Sequence, residues 1–593
     1  MQKRSFFHGR LSVNDWLQVN LNLLAKTLGE LSYEQILKAE EMEKGKYRVR
    51  LQSGAEYTFS AWMGIWDHLR VDAQSIKKTG SAEISAATFF IDAQADLEMD
   101  DIVLGNFLEE MHNSLYSDIA LLNKQKNISA QAMSYWSGEK IQAYLNGHPK
   151  ILLSKGRVGW GARELQTYAP ESEMPVTLFW VAIKKDVLEF SFDDQYSMTS
   201  LLEESLDKNE MNRLFEVLWE KKLSFDEYIF LPLHPWQWER FVKIQYMESL
   251  AKGEMVELGF FGDEYLPQIS IRTLSNISRP EKVDVKLPLT ILNTSAIRGI
   301  PARYISIGAR LSRSILSLCQ EDQLLKSLNT DVLVEKGGAS FEHKAYAQVK
   351  NSPYRYKEYL GAIWRESTSS KLAENEQGIL TGSLFFQDLE KKSLIGAYIA
   401  KSKLTKEQWL REYFKFVIIP LYHLQVKYGL GLVSHGQNII LKMSNYAPIG
   451  IILKDFQGDL RLSNDSILNT RADFKDLAAK LDKMPKEYLI HDLLTGHLVT
   501  VLRFVSEVME ESDGFLEINF YQILAEVIEN YINEYSVPKE LSFLNEKIHR
   551  VLVNKVRFKI GYGDSSERPK PMVGVDLLNP LYLGLKHKEE ING

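Results

Sequence analysis

The apolar residues of this chain change their spacing several times, and never in the regular strand–helix alternation that builds a parallel sheet. Leu17, Leu21, Leu24 and Leu28 follow the stripe of an amphipathic helix. Ser32 with Gln35 has the spacing of a capping box, so a second helix is expected within the first ~45 residues. The period then drops to two. Tyr47, Val49 and Leu51 alternate with arginines, and Tyr57, Phe59 and Ala61 alternate with hydroxyl residues, as in half-buried strands. Helical spacing returns from about Val103 to Leu145 and from about Ser200 to Lys222. Between them, Leu178 to Val181 and Val187 to Phe192 flank Lys184-Lys185-Asp186 as a hairpin would. Strand signals dominate from Phe230 to Tyr304, followed by a helix ending near Tyr428, a hairpin from Ile439 to Leu453, and helices from about Tyr488 to Arg550. Such runs predict an α+β fold and exclude a βαβ repeat. Domain boundaries are expected near 140 and 390.

At 593 residues the chain has room for about three to four domains of ordinary size. Lys plus Arg number 71 against 78 Asp plus Glu, a net charge of −7 that argues against a nucleic-acid binder. An acidic protein can still hold a cationic pocket. Cys319 is the one cysteine, so no intramolecular disulfide, thiolate zinc cluster or CxxC pair is possible; this fits a reducing cytoplasm. The longest apolar runs, Phe416 to Tyr422 and Ile449 to Leu453, fall far short of the ~20 residues that span a bilayer. No targeting segment is recognisable. A soluble cytoplasmic protein without a membrane or nucleic-acid partner is expected.

The nucleotide-binding loops GxxxxGK[ST] and GxGxxG are missing, as are GxSxG and HExxH. Polar residues do occur where strands should be bland. In Gln268 to Thr273, strand alternation puts Gln268, Ser270 and Arg272 on one face; in Val283 to Ile291 it puts Asp284, Lys286, Pro288 and Thr290 on one face. Were these strands neighbours, Ser270, Arg272, Lys286 and Thr290 would share a cationic face with Asn293 to Arg298 at its end, suited to phosphate and carboxylate groups. A solvated sheet face is the plainer alternative. Asn438 and Asp455 flank the 439–453 hairpin as the metal-binding Asn and Asp flank one in protein kinases. No Asp follows His435 where a kinase has its base, which leaves nucleotide–metal binding, or a tight turn with a capping Asp. Gly147-His148-Pro149-Lys150 and Leu233-His234-Pro235-Trp236-Gln237-Trp238 read more readily as turns and packing. His491 and His497 read as a structural pair on a leucine-rich helix.

Taken in order, GHPK…KGRVGWG, LPLHPWQW, SIRTLSN, KLPLTILNTSAIRGIP, SHGQN and KDFQGD resemble the NRPS-independent siderophore synthetases, the IucA/IucC family, over nearly the whole chain. The resemblance implies a cupped hand of thumb, fingers and palm with mainly antiparallel sheets and a helical C-terminal part. The lobes would be residues 1–140, 141–390 and 391–593. It implies an ATP-dependent ligase in which a carboxylate, often of citrate, attacks the α-phosphate to give an acyl-adenylate and pyrophosphate. An amine then displaces AMP. In one branch the partners are citrate or a citryl-monoamide and the amine of an N-hydroxylated, N-acylated lysine or diamine. In another, N-hydroxy-N-succinyl diamines are joined or macrocyclised. Mg²⁺ accompanies ATP, and a homodimer is expected. A kinase-like phosphotransferase and a non-enzymatic carboxylate-binding protein are the remaining readings.

Carried over motif by motif, Ser270, Arg272 and Thr273 would contact nucleotide phosphates, the first two also the carboxylate substrate. Lys286 would face the phosphates and Asn293 would bind them. Thr294 and Arg298 would serve the carboxylate, Arg298 also the phosphate. His435 would bind the carboxylate and assist amine attack, with Gln437 on the nucleotide, and Asn438 and Asp455 would hold the metal. His148, Lys155 and Arg157 would form a basic loop over the phosphates. Arg298, His435 and Lys286 are the expected catalytic set. Two departures bear on carboxylate specificity: Ile151 where many members have a second histidine, and Val433 where many have Glu.

Overall fold

Ser12 caps the first helix by accepting the backbone N–H groups of Asn14 and Asp15, and α1 runs over Val13–Tyr33. The computed structural model describes residues 11–294, 296–560 and 572–592. Leu21, Leu24 and Leu28 of the stripe are buried, while Leu17 lies partly outside. The second helix expected from Ser32 does not form. Ser32 belongs to the last turn of α1, Gln35 takes a left-handed φ of 55°, and by Ala39 the chain is a strand. The spacing of a polar helix end matches that of a capped beginning.

Strands β1 (Ala39–Glu43), β2 (Lys46–Arg50), β3 (Glu56–Gly64) and β4 (His68–Val71) form an antiparallel meander. Tyr47, Val49, Tyr57, Phe59 and Ala61 face inward, as the alternation predicts. They share a core with α1 and with α2 (Asp101–Gln125).

The next sheet has eight strands: β5 (Val176–Lys184), β6 (Glu189–Phe192), β7 (Tyr228–Leu233), β8 (Met255–Pro267), β9 (Thr273–Asn276), β10 (Asp284–Lys286) and, after a separate hairpin of β11 (Leu289–Asn293) and β12 (Ala296–Arg298), β13 (Glu335–Ser340) and β14 (Gly361–Arg365). Its order is β6-β13-β14-β10-β9-β8-β5-β7, antiparallel throughout. The hairpin expected from β5 and β6 is therefore wrong in its pairing. Both edges of β5 are taken by β7 and β8, and β6 crosses to the far edge to pair with β13. The helix expected at 200–222 is two helices, separated where Asp207 caps the second.

Beyond these, β15 (Glu376–Leu380), β16 (Ile439–Ser444) and β17 (Ala447–Leu453), with the short strand Thr330–Val332 parallel to β17, form a four-stranded sheet that contains the expected hairpin. The helices α3 (Lys486–Asp513) and α4 (Glu517–Tyr535) complete the largest core. Helix α3 is long and apolar enough to cross a membrane, but 78% of its most apolar window is buried inside the protein. The C-terminal part also reaches back to the first lobe. Arg503 pairs with Glu30, Arg550 with Asp67 and Arg557 with Glu110, while Lys150 lies 3.0 Å from both Glu30 and Glu34. Phe558 sits in the core of α1 and α2.

Candidate active site

Gln268 to Thr273 is a tight turn, not the alternating strand its sequence predicts. Gln268 N–H donates to the Thr273 carbonyl at 2.9 Å, Ile271 N–H to the Gln268 carbonyl at 2.7 Å, and Thr273 N–H to Ser270 Oγ at 3.2 Å. Ile271 holds a φ of 59°, which is strained for a β-branched residue. Its side chain is buried among Trp160, Trp236, Leu289 and Ile291, and that packing offsets the strain. The turn swings Arg272 off the sheet onto the Gly299 carbonyl and starts β9 at Thr273, directly opposite Lys286 of β10. Thr290 does not join that face. Pro288 has no N–H for the ladder, the strand breaks there, and Thr290 falls in β11. There Gln237 holds it: Nε2 donates to Thr290 Oγ1 at 2.8 Å and Oε1 accepts Thr290 N–H at 2.9 Å.

The β11–β12 hairpin carries the next group; Ser295, within it, lies outside the described residues. Thr294, at a φ of 50°, donates from Oγ1 to the Asn293 carbonyl at 2.7 Å, and Arg298 Nε donates to the same carbonyl at 2.9 Å. Arg272 and Arg298 are thus brought to one hairpin. Planar guanidinium groups placed in this way suit a carboxylate or phosphate.

A second cationic group centres on Asp455, whose backbone is left-handed at a φ of 62°. Its Oδ1 accepts Lys286 Nζ and an Arg365 guanidinium nitrogen, each at 2.8 Å, and Lys454 Nζ lies 3.7 Å from Oδ2. Burial alone would raise this carboxyl, but Arg365, Lys286 and Lys454 hold it well below the usual carboxylate range. Burial lowers Lys454 to about 8 against the pull of Asp455. Burial also raises two neighbours: Asp284, to about 7 despite Arg365, and Glu335, despite Lys286 and a 2.7 Å hydrogen bond from Gln457. Three cations therefore surround Asp455, the carboxylate that they hold ionised, while burial disfavours the charged forms of Asp284 and Glu335, and the group suits an anion.

Arg365 is the main residue that sequence reasoning missed. It closes the otherwise apolar run Ala362-Ile363-Trp364 and lies opposite Asp284 in the register. An arginine ending a buried strand was the available signal.

Asn438 faces Lys454 across the base of the β16–β17 hairpin, where Lys454 N–H donates to its carbonyl at 3.2 Å. Its Nδ2 donates to Val433 O at 3.0 Å and Asp459 Oδ2 at 3.1 Å. Val433 thus serves through its backbone. Gln437 N–H donates to His435 Nδ1 at 3.2 Å, so the neutral ring carries its proton on Nε2, 4.0 Å from Asp459 Oδ2. Burial lowers the His435 pKa against Asp459. In this tautomer Nε2 is a donor, not the acceptor that a base acting there would need. His148 is held alike, with Nδ1 accepting the N–H groups of Lys150 and Ile151. The two histidines line one slot with Ile269, Phe385, Gln437 and Thr500.

Among the described residues no three His, Cys, Asp or Glu side chains cluster as a metal cage. Asp455 is ringed by cations, and the Asn438 amide nitrogen turns to Asp459. These few hard oxygens fit Mg²⁺ that arrives on a polyphosphate and takes one or two protein ligands.

The basic loop is built differently from expectation. Arg157 grips Glu171 with two bonds of 2.8 and 2.9 Å, and Lys155 Nζ lies 3.3 Å from Asp118 and 3.5 Å from Glu171. Burial would raise Glu171, but Arg157 and Lys155 bring it to about 2. Both cations are buried and anchor the loop. Arg157 N–H, 3.4 Å from Asn293 Oδ1, ties it to the hairpin. His497 is fully buried and bonded at both nitrogens, as a structural histidine should be.

Comparison with known proteins shows the family. The model of the IucA / IucC family matches residues 139–386, and that of the ferric iron reductase FhuF-like transporter matches residues 407–561. Aerobactin synthase of Escherichia coli is 37% identical over 573 residues, spanning 96% of this chain and 98% of that protein. Putrebactin synthase of a Shewanella strain is 27% identical, spanning 95% and 91%. The solved structure of aerobactin synthetase IucC from a hypervirulent pathotype of Klebsiella pneumoniae matches with a TM-score of 0.87 at 36% identity, covering 97% of this chain and 100% of that one. Full-length likeness of this kind, on a fold that brings the ordered motifs to two cationic groups, means that the chain belongs to the IucA / IucC family.

Proposed function

We propose that the protein is an ATP-dependent siderophore ligase that adenylates citrate or a citryl-monoamide and joins it to the amine of an N-hydroxylated, N-acylated lysine. The observation that supports this reading is a pair of cationic groups, Arg272 and Arg298 bonded to backbone carbonyls of the 293–299 segment and Lys286, Arg365 and Lys454 around Asp455. The greater identity to aerobactin synthase than to putrebactin synthase favours a lysine-type amine over a succinylated diamine.

The substrate carboxylate sits at Arg272 and Arg298, with Ser270 and Thr294 beside it. The triphosphate lies along Lys286, Arg365 and Lys454, with Thr273, Asn293 and Gln437 bordering it. A carboxylate oxygen attacks the α-phosphorus, the bond to the β-phosphate bridge breaks, and pyrophosphate leaves. No base is needed, because the carboxylate is ionised already near pH 7. Fixed cations stabilise the charge that grows on the phosphoryl oxygens. His435 Nε2–H donates to an oxygen of the acyl-adenylate. The amine then attacks the acyl carbon, AMP leaves with the bonding pair, and the ammonium proton passes to solvent. Bound Mg²⁺ would add charge neutralisation, held by Asp455 and Asn438 with Asp459 beside them. A cytoplasmic homodimer is part of the reading.

The test is nucleotide chromatography and mass spectrometry on purified enzyme with citrate, a citryl-monoamide and a panel of hydroxylated amines. AMP, pyrophosphate and an amide are expected. ADP with a phosphorylated product would overturn adenylation, and no consumption of ATP with any pair would point to a binding protein.

A further inference from the structure

One buried histidine takes no part in the steps above. Helix α3 is α-helical to Leu493, widens to a π-helix over Leu494–Leu502 and narrows again from Arg503. Widened turns of this kind recur at functional sites. This one brings three residues to the 434–438 loop. Gly496 packs so closely that a Cβ there would lie 2.8 Å from the Ser434 nitrogen. Thr500 lines the slot beside His435. His497, fully buried, places Nδ1 2.9 Å from the Ser434 carbonyl and Nε2 3.0 Å from the Tyr413 hydroxyl.

The chemistry fixes the protons. A carbonyl only accepts, so His497 Nδ1 carries its hydrogen and the Tyr413 hydroxyl donates to Nε2. Ser434 is held on its other side too, donating from N–H at 3.1 Å and from Oγ at 3.0 Å to the Asp492 carbonyl. Further along, Gly382 N–H donates to the Gly436 carbonyl at 3.0 Å, and a Cβ on Gly436 would lie 2.7 Å from the Gly382 Cα. The peptide before His435 and the residue after it are both clamped.

We infer that Tyr413 and His497 form a positioning relay that fixes the Ser434–His435 peptide and so aims His435 Nε2 at the reacting acyl group. The inference rests on the role given to His435 above. His497 touches no substrate and acts through Ser434.

The test uses the full chain and four variants, His497→Phe, His497→Asn, Tyr413→Phe and His435→Ala, in exchange of pyrophosphate into ATP driven by citrate and, separately, by a citryl-monoamide. His497→Phe is expected to lower kcat roughly 100-fold, the scale of a small misplacement, with KM for ATP unchanged. His497→Asn keeps an N–H for Ser434 and is expected to recover most of the loss. Tyr413→Phe frees the ring but leaves that bond possible, and should fall between them. Hydrogen exchange over residues 434–438 reads positioning without turnover, faster in His497→Phe and restored in His497→Asn. Unchanged exchange in that loop, or equal kinetic damage in the Phe and Asn variants, overturns the relay. Absent turnover in the wild type, or an unimpaired His435→Ala, overturns instead the functional reading on which it rests. Should His497→Phe not fold, the Asn and Tyr413 variants decide the outcome.

Discussion

Asp284 is a carboxyl group whose folded environment favours the neutral form. Burial raises it to about 7, so its contribution to stability is fully present below about pH 4 and is lost as pH rises through 7. Wild-type stability should therefore fall from about pH 4 to pH 7 and level off above that, and Asp284→Asn should flatten that slope, by up to about 4 kcal/mol at the alkaline end, in urea unfolding at each pH. Glu335, raised in the same direction, leaves part of the slope in the variant. Arg365 supplies the complementary expectation. Arg365→Ala should leave a folded protein, since Lys286 still pairs with Asp455, but reduce pyrophosphate exchange by roughly 100-fold, the loss typical of one missing charge donor. Lys286, Arg298, Asn438 and Asp455 were readable as single residues because each sits in a short motif. Arg365 was not, because its partners Asp284 and Asp455 lie 81 and 90 positions away in the sequence, the first met by register and the second through space. Arg157 misled for the same reason: nothing in its own motif shows that Glu171 will take both its guanidinium bonds.

At the scale of elements, the five residues Gln268 to Arg272 alternate polar and apolar as well as any strand, yet they turn. Periodicity over so short a run cannot separate a strand from a loop whose apolar residues happen to plug a core, as Ile271 does here. Pro288 was the readable break between β10 and β11, and it keeps Thr290 out of the sheet. The 439–453 hairpin was easier, because both strands are buried and long enough for pattern to decide. That hairpin depends on the loop preceding it. Gly436→Ala should force the loop off Gly382, since the added carbon would meet backbone and not a flexible side chain. Loss of citrate-dependent turnover with a cooperative thermal transition retained is the expected result; a fully active variant would show that the loop has room.

For the whole molecule, α+β character was evident from the runs of period, and the antiparallel order of the eight-strand sheet followed the family resemblance. What the runs could not show is how the first lobe is closed. Arg503 lies at 0% exposure between Glu30 and the rings of Tyr33 and Phe504. Arg503→Met would leave Glu30 with Lys150 as its remaining cation, and loss of one partner from a buried network costs about 3–5 kcal/mol. Thermal unfolding should show that loss, together with earlier proteolysis of the first lobe.

The closure of the amino-terminal core by Arg550, Arg557 and Phe558 sets an order of events during synthesis. Glu110 waits for a partner 447 residues downstream, which at usual ribosome speeds is a delay of about 20–90 s. Throughout that interval the amino-terminal core lacks Phe558, and the buried Glu110 lacks its arginine. Its maturation is therefore post-translational, and a ribosome stalled short of residue 550 should display a first lobe that chaperones still hold.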